Sequence, residues 1–277
     1  MAALAAAPAA HAASLSVSPQ LFSPQHARLN VRVQLTVPRQ VGVSLVTVAG
    51  KRIGWIIAPA RRTTLDAGWD GRIAGNRVPD GTYVVRLVYR SAVLATSNLQ
   101  IDSHPARLLD LSVDNGSTPF AGDGKLLTTV SPNGDKFRDS ANVNFRLAES
   151  ATVTMDVTRT VKVPHPIYTL TASFDPGEHT LTWSPAPTLN PRTYLIQLTT
   201  VDRAGNKLVY GAPNSFVGRY PRGPVVRIQG IDAGFDQPSY APGQDAHIHI
   251  ATDEASFTMR VDSTCVQPPT SAFVLIF

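Results

Sequence analysis

The chain alternates hydrophobic and polar residues over much of its length. In LNVRVQLTV, residues 29–37, leucine and valine occupy every second position, and polar residues fill the positions between. Because successive side chains of a β-strand point to opposite faces, this pattern predicts a strand with one buried face. Similar segments, bounded by Gly, Pro and Asp, follow at residues 41–48, 54–57, 82–89 and 92–101. No segment carries a helical hydrophobic period, so the sequence predicts an all-β protein.

The same pattern recurs further along the chain. ANVNFRLAESATVTMDV, residues 141–157, again alternates hydrophobic and polar positions, and its Asn142 lies 112 positions after Asn30. A third copy, AHIHIATDEASFTMRV at residues 246–261, begins 105 positions after the second. Similar offsets between independent landmarks predict tandem modules of about 100 residues.

A tryptophan and a tyrosine mark each of the first two modules. Trp69 and Trp183 are 114 positions apart, and Tyr83 and Tyr194 are 111 apart. Between Trp69 and Tyr83 the chain passes through the turn sequences WDG and PDG, in which Pro presets φ and Gly accepts a positive φ. The second module keeps both aromatic residues and loses the Asp-Gly turns. A catalytic motif would not be expected to lose its polar residues first, so we predict that these four aromatics are core anchors.

Proline-rich joints divide the chain into modules. HPAR and YPRGP begin at residues 104 and 220, and proline cannot continue a sheet ladder. The predicted organisation is a signal-peptide remnant or leader at 1–13, immunoglobulin-like or fibronectin-III-like β-sandwiches at 14–103 and 104–222, and a partial third sandwich at 223–277. The third is predicted to be incomplete because 55 residues remain for a module of about 110.

Several motifs of the first two modules resemble one family. The W-D-G…D-G-T-Y pattern, SPNGD at residues 131–135 and the D-x-x-G-N turn at residues 202–206 are similar to motifs of the Ig-like domain of the flagellar hook-capping protein, which recurs in many bacterial surface proteins. Where the family pattern SPNGDGxND has Gly and Asn, this sequence has Lys136 and Arg138. Over residues 15–217 the resemblance implies a seven-stranded sandwich that is usually non-catalytic. The hook-binding segment of that protein has no counterpart in this sequence, so a flagellar role is not expected.

The C-terminal segment carries a second, shorter resemblance. IDAGFDQPSYAPGQDAHIHIATDEASFTMRV, residues 231–261, is similar to the β-sandwich opening of N,N-dimethylformamidase large-subunit-like proteins. This resemblance implies an alternative in which the chain is the non-catalytic N-terminal portion of a larger hydrolase.

Hydropathy and the N-terminal segment bear on the compartment. Hydrophobic residues make up 43% of the chain, and its mean hydropathy is −0.03. No apolar run after the N-terminus reaches the roughly 18 residues that a membrane span needs. The start, MAALAAAPAAHAAS, has the alanine-rich body and small-x-small end of a secretory signal but no basic leading region; the alternative is a disordered Ala/Pro leader. We expect a secreted or cell-surface protein.

The positive charge is concentrated in the first module. The formal net charge is +5, and residues 14–103 hold 11 basic and 4 acidic residues. This module is therefore the one candidate surface for an anionic polymer, and the alternative is a merely solvated basic face. No basic cluster is interleaved with aromatic residues as a single-strand groove requires, so no nucleic-acid partner is expected.

Two groups of residues are candidate metal ligands. Asn133, Asp135 and Asp139 present side-chain oxygens at i, i+2 and i+6, which suits calcium, whereas the alternative is an Asx turn entering a strand. His247 and His249 lie two apart on a predicted strand and share a face, a spacing that can serve a metal, although they align with solvent-facing asparagines of the second module. Apart from calcium, no cofactor is expected.

Nothing in the sequence predicts catalysis. It contains no G-x-S-x-G elbow, H-E-x-x-H, glycine-rich phosphate loop or paired CxxC, and the single Cys265 can form neither an intrachain disulfide nor a redox pair. We therefore expect a non-enzymatic, exported Ig-like repeat protein that acts as a spacer, adhesion or presentation module. Its partner would be a cell-wall or surface polymer or a protein. A carbohydrate-binding module with an exposed aromatic row is a further alternative.

Overall fold

β-Strands account for all regular structure that can be described. The computed structural model describes residues 13–120, 122–161, 165–211, 222–228, 231–235, 237, 239–252, 260–265 and 271–276. Every regular element in these ranges is a strand, which confirms the all-β prediction. This part of the chain holds no helix long and apolar enough to span a membrane. The predicted leader lies outside the described residues, except for its last position.

The first module is built around two long strands. Its strands are β1 Ala13–Ser18, β2 Leu21–Phe22, β3 Leu29–Thr47, β4 Arg52–Trp69, β5 Arg72–Ile73, β6 Asn76–Arg77, β7 Gly81–Tyr89 and β8 Ala92–Ile101. The first half of β3 pairs with β1 and with the second half of β4, whereas its second half pairs with β7 and with the first half of β4. The sheet therefore bends around a core. The sequence pattern predicted two strands where β3 is one, interrupted in register around Pro38, which has no backbone N–H to donate.

The alternation of hydrophobic and polar residues along β3 determines which of its side chains are buried in the first core. Val31 and Val33 are buried, whereas Arg32 and Gln34 are exposed, as the period-2 pattern predicts. Large side chains that are almost fully buried in this core include Phe22, Leu29, Leu45, Leu87, Leu99 and Ile101.

The second module is a two-layer sandwich. Its strands are β9 Leu108–Asp114, β10 Leu127–Val130, β11 Ala141–Leu147, β12 Ala151–Arg159, β13 Pro166–Phe174, β14 Gly177–Trp183, β15 Thr193–Asp202, β16 Lys207–Tyr210 and β17 Val225–Ile228. One sheet has the order β10-β17-β15-β12-β13 with β16 beside β15, and the other has the order β14-β11-β9. Buried residues from both sheets form one core, so the sandwich prediction is confirmed.

The second module extends past its predicted boundary. The sequence analysis ended it at residue 222, but β17 pairs with β15 and, in parallel, with β10. Val226 and Ile228 of β17 belong to the second core. The joint at residues 220–224 therefore precedes the last strand of this module, because that strand is needed to fill the sheet between β10 and β15.

The C-terminal region forms two separate pairs of strands. β18 Ile231–Phe235 pairs with β19 Ile248–Thr252, and β20 Arg260–Cys265 pairs with β21 Ser271–Ile276, both antiparallel. These pairs lie within the segment predicted as a partial third sandwich. In the described residues no ladder joins the two pairs.

Candidate functional site

The four predicted anchors lie in the two cores. Trp69 and Tyr83 are buried in the first core, and Trp183 and Tyr194 in the second, where their ring centroids are 5.4 Å apart. The indole Nε1 of Trp69 donates to the carbonyl of Arg72 at 2.7 Å. Each tyrosine hydroxyl also donates to a backbone carbonyl. The indole N–H of Trp69 and the two tyrosine hydroxyls thus hold turns of the chain, and the four rings belong to the cores.

The two modules are joined by a buried hydrogen-bonded contact. Ser23 Oγ of the first module donates to Asn206 Oδ1 of the second at 2.6 Å, and both residues are at least 98% buried. Asn206 Nδ2 donates to the carbonyls of Asp102 and His104, at 3.1 and 3.4 Å, in the connection between the modules. One amide side chain therefore fastens the second module both to the first and to the linker.

Three carboxylates surround this junction. Asp102, Glu149 and Asp202 each place one oxygen within 4.8 Å of the others. Burial, and then the charges of Asp102 and Asp202, raise the pKa of Glu149, while nearby His104 opposes the shift. Both oxygens of Asp202 accept hydrogen bonds from Asn206, from the backbone N–H at 2.9 Å and from Nδ2 at 2.8 Å. Through these bonds Asp202 holds Asn206, the residue that contacts the first module, so the cluster is part of the junction.

Asp80 of the predicted PDG turn holds the other side of the linker. It accepts hydrogen bonds from the backbone N–H of Ser103 at 2.9 Å and from Ser103 Oγ at 3.1 Å, and it pairs with His104 Nδ1. Burial raises the pKa of this carboxyl, but the bonds from Ser103 and the pairing with His104 outweigh burial and lower it overall. Asp80, which the sequence places in a turn, therefore also holds the linker where the chain leaves the first module.

The predicted calcium loop is closed by its own hydrogen bonds. Asp139 accepts from the backbone N–H groups of Gly134 at 3.1 Å and Lys136 at 2.7 Å. Asn133 Oδ1 accepts from the N–H of Asp135 at 3.0 Å, and Asp135 Oδ1 bonds the N–H two residues further on at 2.7 Å. The loop thus contains the Asx turns of the alternative interpretation. Calcium at this loop stays a prediction.

The same loop borders a cleft of about 610 Å³ at one end of the second module. Polar, basic and apolar groups share its wall, which includes Asn115, Ser117, Lys136, Phe137, Arg138 and Asn142. Three prolines and two further serines complete the apolar and hydroxyl parts of the wall. A concave surface with a few convergent polar groups is the usual form of a small-ligand site.

Arg138 is the unusual residue of this cleft. It is 8% exposed, and its guanidinium lies over the rings of Phe120 and Phe137, at 4.0 and 4.6 Å from their centroids. Its buried Nε has no hydrogen-bond partner in the described part of the protein. Lys136 and Arg138 also have φ of 73° and 57°, in the left-handed region where Gly and Asn are most easily accommodated. The family pattern cited above has Gly and Asn at these two positions.

Aromatic residues of the first module are covered by arginines. Trp55, the third tryptophan, is partly buried beneath the guanidinium of Arg52, 4.1 Å from its ring centroid. A Cβ on Gly42 would lie 2.7 Å from the ring of Trp55, so only glycine allows this packing. The ring of Tyr89 likewise has Arg39 at 5.1 Å and Arg90 at 5.3 Å. These aromatic residues do not form the uncovered row that stacking on sugars requires.

The predicted histidine pair is only partly described. His247 is exposed in the loop before β19, and its carbonyl accepts a hydrogen bond from the Tyr240 hydroxyl at 3.3 Å. His249 lies in β19 opposite Gly234, and its side chain is outside the described residues. The acidic and histidine clusters found in the described part of the chain do not include either residue. A metal at this pair stays a prediction.

Sequence reasoning missed the partners of three buried polar residues. It placed Asn206 in a turn and Arg138 at a departure from a motif, and it named no partner for Asp123. Asp123 forms an ion pair with Arg227 of β17 at 3.1 Å and accepts bonds from Thr129. A polar residue that is required inside a module carries no periodic signal, since its neighbours in sequence are loop residues as well.

Comparison with known proteins yields only distant structural similarity. No protein-family model matches the sequence, and no curated protein matches it. Among solved structures, the chain is similar to a biofilm-associated protein's BSP domain (TM-score 0.25, 11% identity, 74% of this chain and 30% of that one). It is also similar to a tetra-tandem repeat in the extending region of a large adhesion protein, with a TM-score of 0.28 and 16% identity over 96% of this chain and 62% of that one. A third similar structure is a Salmonella alpha-2-macroglobulin mutant, with a TM-score of 0.29 and 12% identity over 98% of this chain and 20% of that one. The chain spans less than two thirds of each of these proteins, and a likeness of this size carries no functional argument.

Proposed function

We propose that this chain is a non-catalytic, exported repeat segment whose first two modules form one rigid unit that spaces or presents other parts of a surface protein. The observation that carries the proposal is the buried contact between Ser23 and Asn206. A spacer has to transmit orientation from one module to the next, and modules that move independently on a flexible linker cannot do so.

The linker geometry supports rigidity. Residues 102–105 connect β8 of the first module to the second module, and their carbonyl and amide groups are held from both sides. Asn206 donates to the carbonyls of Asp102 and His104, while Asp80 accepts from Ser103. A linker with its backbone polar groups engaged in this way loses most of the freedom that a polar connection ordinarily has.

Export and surface location are part of the proposal. They are supported by the alanine-rich N-terminal segment and by the resemblance to Ig-like repeats of bacterial surface proteins. Detection of the protein in the secreted or wall fraction of its host, and not in the cytosol, is the expected result. This role needs no cofactor.

Rotational diffusion tests the rigid unit. We expect ¹⁵N relaxation to give the same overall correlation time for residues 14–103 and for residues 108–211 in the full chain. Ser23→Ala leaves the buried Asn206 oxygen without its donor, which costs about 1–3 kcal/mol, and should let the modules tumble separately. Ser16→Ala, at an exposed position of β1, is the matched control. Unequal correlation times in the unmodified protein would exclude a rigid spacer.

A further inference from the structure

We propose that the cleft beside Arg138 binds an oxoanion, the carboxylate or phosphate group of a small ligand or polymer. This site lies in the second module and does not depend on the junction between modules. It is carried by one observation above all, a buried arginine that lines a cleft without a counter-ion.

Burial without a partner is energetically unfavourable for a guanidinium. Removing such a charge from water costs several kcal/mol unless an opposite charge or hydrogen-bond acceptors replace the water. Arg138 is 8% exposed, its Nε is buried without a hydrogen-bond partner, and its side chain makes no ion pair or hydrogen bond within the described residues. Its two terminal nitrogens are not among the buried atoms that lack a partner, so water at the cleft is what they contact. The rings of Phe120 and Phe137 supply cation–π attraction, yet they accept none of its five N–H donors.

The two phenylalanine rings also orient the guanidinium. A planar guanidinium that is held over flat rings keeps its donor edge free in its own plane. Carboxylate and phosphate oxygens match that edge with two parallel hydrogen bonds. The rings of Phe120 and Phe137 hold the guanidinium of Arg138 in place at the wall of the cleft.

The rest of the wall agrees with an anion. Lys136 adds a second positive charge, and Ser117 adds a hydroxyl group, whereas the amide of Asn115 already donates to the carbonyl of Thr129 at 2.9 Å. Asp139 is the acidic residue of the wall, and both of its oxygens already accept backbone N–H groups of the loop. It forms no ion pair with Arg138 in the described structure, and its remaining negative charge is outnumbered in the wall by the positive charges of Lys136 and Arg138.

The backbone conformation of the loop also supports the proposal. Lys136 and Arg138 both adopt left-handed φ angles, which cost a non-glycine residue roughly 1–2 kcal/mol. Strained backbone conformations of this kind cluster at binding and active sites, where the surrounding structure holds them in place. Placing two cationic side chains at these positions therefore favours a binding role over a structural one.

Thermal stability and NMR of the full chain test the site. Inorganic phosphate and acetate, compared with chloride at the same ionic strength, should raise the melting temperature and shift the amide resonances of residues 115–117 and 134–142. Phosphate acting more strongly than acetate assigns a phosphate ligand, and the reverse assigns a carboxylate. If both anions act no differently from chloride, or if the shifts lie elsewhere in the chain, the proposal is wrong. Shifts of this loop with calcium and not with either anion would overturn it as well.

Two variants separate binding from folding. Arg138→Gln should weaken phosphate binding by about tenfold or more, the scale of one charge-assisted hydrogen bond. Arg203→Gln removes an exposed charge at the opposite end of the module and should leave binding unchanged. Lys136→Gly relieves the left-handed φ and should raise the melting temperature while it weakens phosphate binding, a combination that no folding defect produces. Unaltered phosphate binding in Arg138→Gln and Lys136→Gly would show that cation–π contacts alone satisfy the arginine.

Discussion

Tyr83 and Tyr194 make the same hydrogen bond in two different modules. The hydroxyl of Tyr83 donates to the carbonyl of Pro79 at 2.8 Å, and that of Tyr194 donates to the carbonyl of Asn190 at 3.0 Å, in each case four residues earlier. This is the arrangement of the tyrosine corner in Greek-key sandwiches. It explains why the tyrosines are retained in both modules although the turn sequences before them differ.

The tyrosine corners are expected to contribute to stability through one hydrogen bond each. Tyr83→Phe and Tyr194→Phe should each lower the free energy of unfolding by about 1 kcal/mol, because each leaves a carbonyl without its donor and keeps the ring. Urea unfolding followed by fluorescence measures this. Tyr168→Phe, at a partly exposed ring of β13 whose hydroxyl has no hydrogen bond in the described structure, should change little. An equal loss in all three variants would contradict the assignment.

The tryptophan anchors should matter more than the tyrosine hydroxyls. Trp69→Ala and Trp183→Ala should each cost roughly 3–5 kcal/mol, because each removes a buried aromatic ring and leaves a cavity. Trp55→Ala is the matched control, since Trp55 is only partly buried beneath Arg52 and should cost clearly less. Differential scanning calorimetry gives the comparison. A Trp69 or Trp183 variant that melts within a degree or two of the parent would remove that residue from the core.

Much of this fold is predictable because burial and alternation are local. Val31 and Val33 could be assigned to the core from their spacing, and the recurrence of Trp and Tyr predicted two similar modules. The continuity of β3 through Pro38 could not be predicted in the same way, since a proline ordinarily ends a ladder. Here the ladder with β4 is interrupted between Gln34 and Arg39, and on the other edge of the strand the partner changes from β1 to β7. The proline without an N–H therefore lies in a gap between paired segments.

The polar contacts were beyond the reach of the sequence. Ser23 and Asn206 are 183 positions apart, and neither lies in an alternating segment. The sequence motif around Arg138 indicated a departure from a family pattern, but its burial depends on Phe120, which comes from a different loop. Long-range contacts between single polar side chains leave no period in the sequence, whereas hydrophobic faces do.

Glu149 should make the protein more stable at acidic than at neutral pH, relative to a neutral substitute. Burial and the charges of Asp102 and Asp202 raise the pKa of Glu149. The stability associated with its protonated form is fully present below the ordinary pKa and is lost as pH rises through the raised value. Glu149→Gln should therefore be more stable than the parent at pH 7 and equal to it at low pH.

The control for this prediction is Glu178→Gln, at an exposed position of β14 away from the junction. Urea midpoints of the three proteins, measured from neutral pH down to pH values below 4, give the comparison. The difference between Glu149→Gln and the parent should shrink through the range just above the ordinary carboxyl pKa. A difference that is independent of pH would show that the substitution acts through packing and not through the charge.

The last prediction concerns the basic end of the first module. Arg39 and Arg62 lie directly opposite each other on β3 and β4, and Arg39 and Arg90 share the ring of Tyr89. None of these arginines forms an ion pair in the described part of the chain. We expect weak, salt-sensitive retention on heparin, because the attraction of exposed charges is largely screened beyond about 10 Å at 0.1 M salt.

Charge position, and not net charge alone, should decide that retention. Replacing Arg39 and Arg90 by Gln should lower the salt concentration at which the protein elutes. Replacing Arg32, which already pairs with Asp66 at 3.0 Å, should lower it less for the same loss of charge per residue. If the Arg32 variant and a single Arg90 variant elute alike, the surface is a uniformly solvated basic face. If retention does not change with salt, the contact with heparin is not electrostatic, because salt weakens the attraction between exposed charges by screening it.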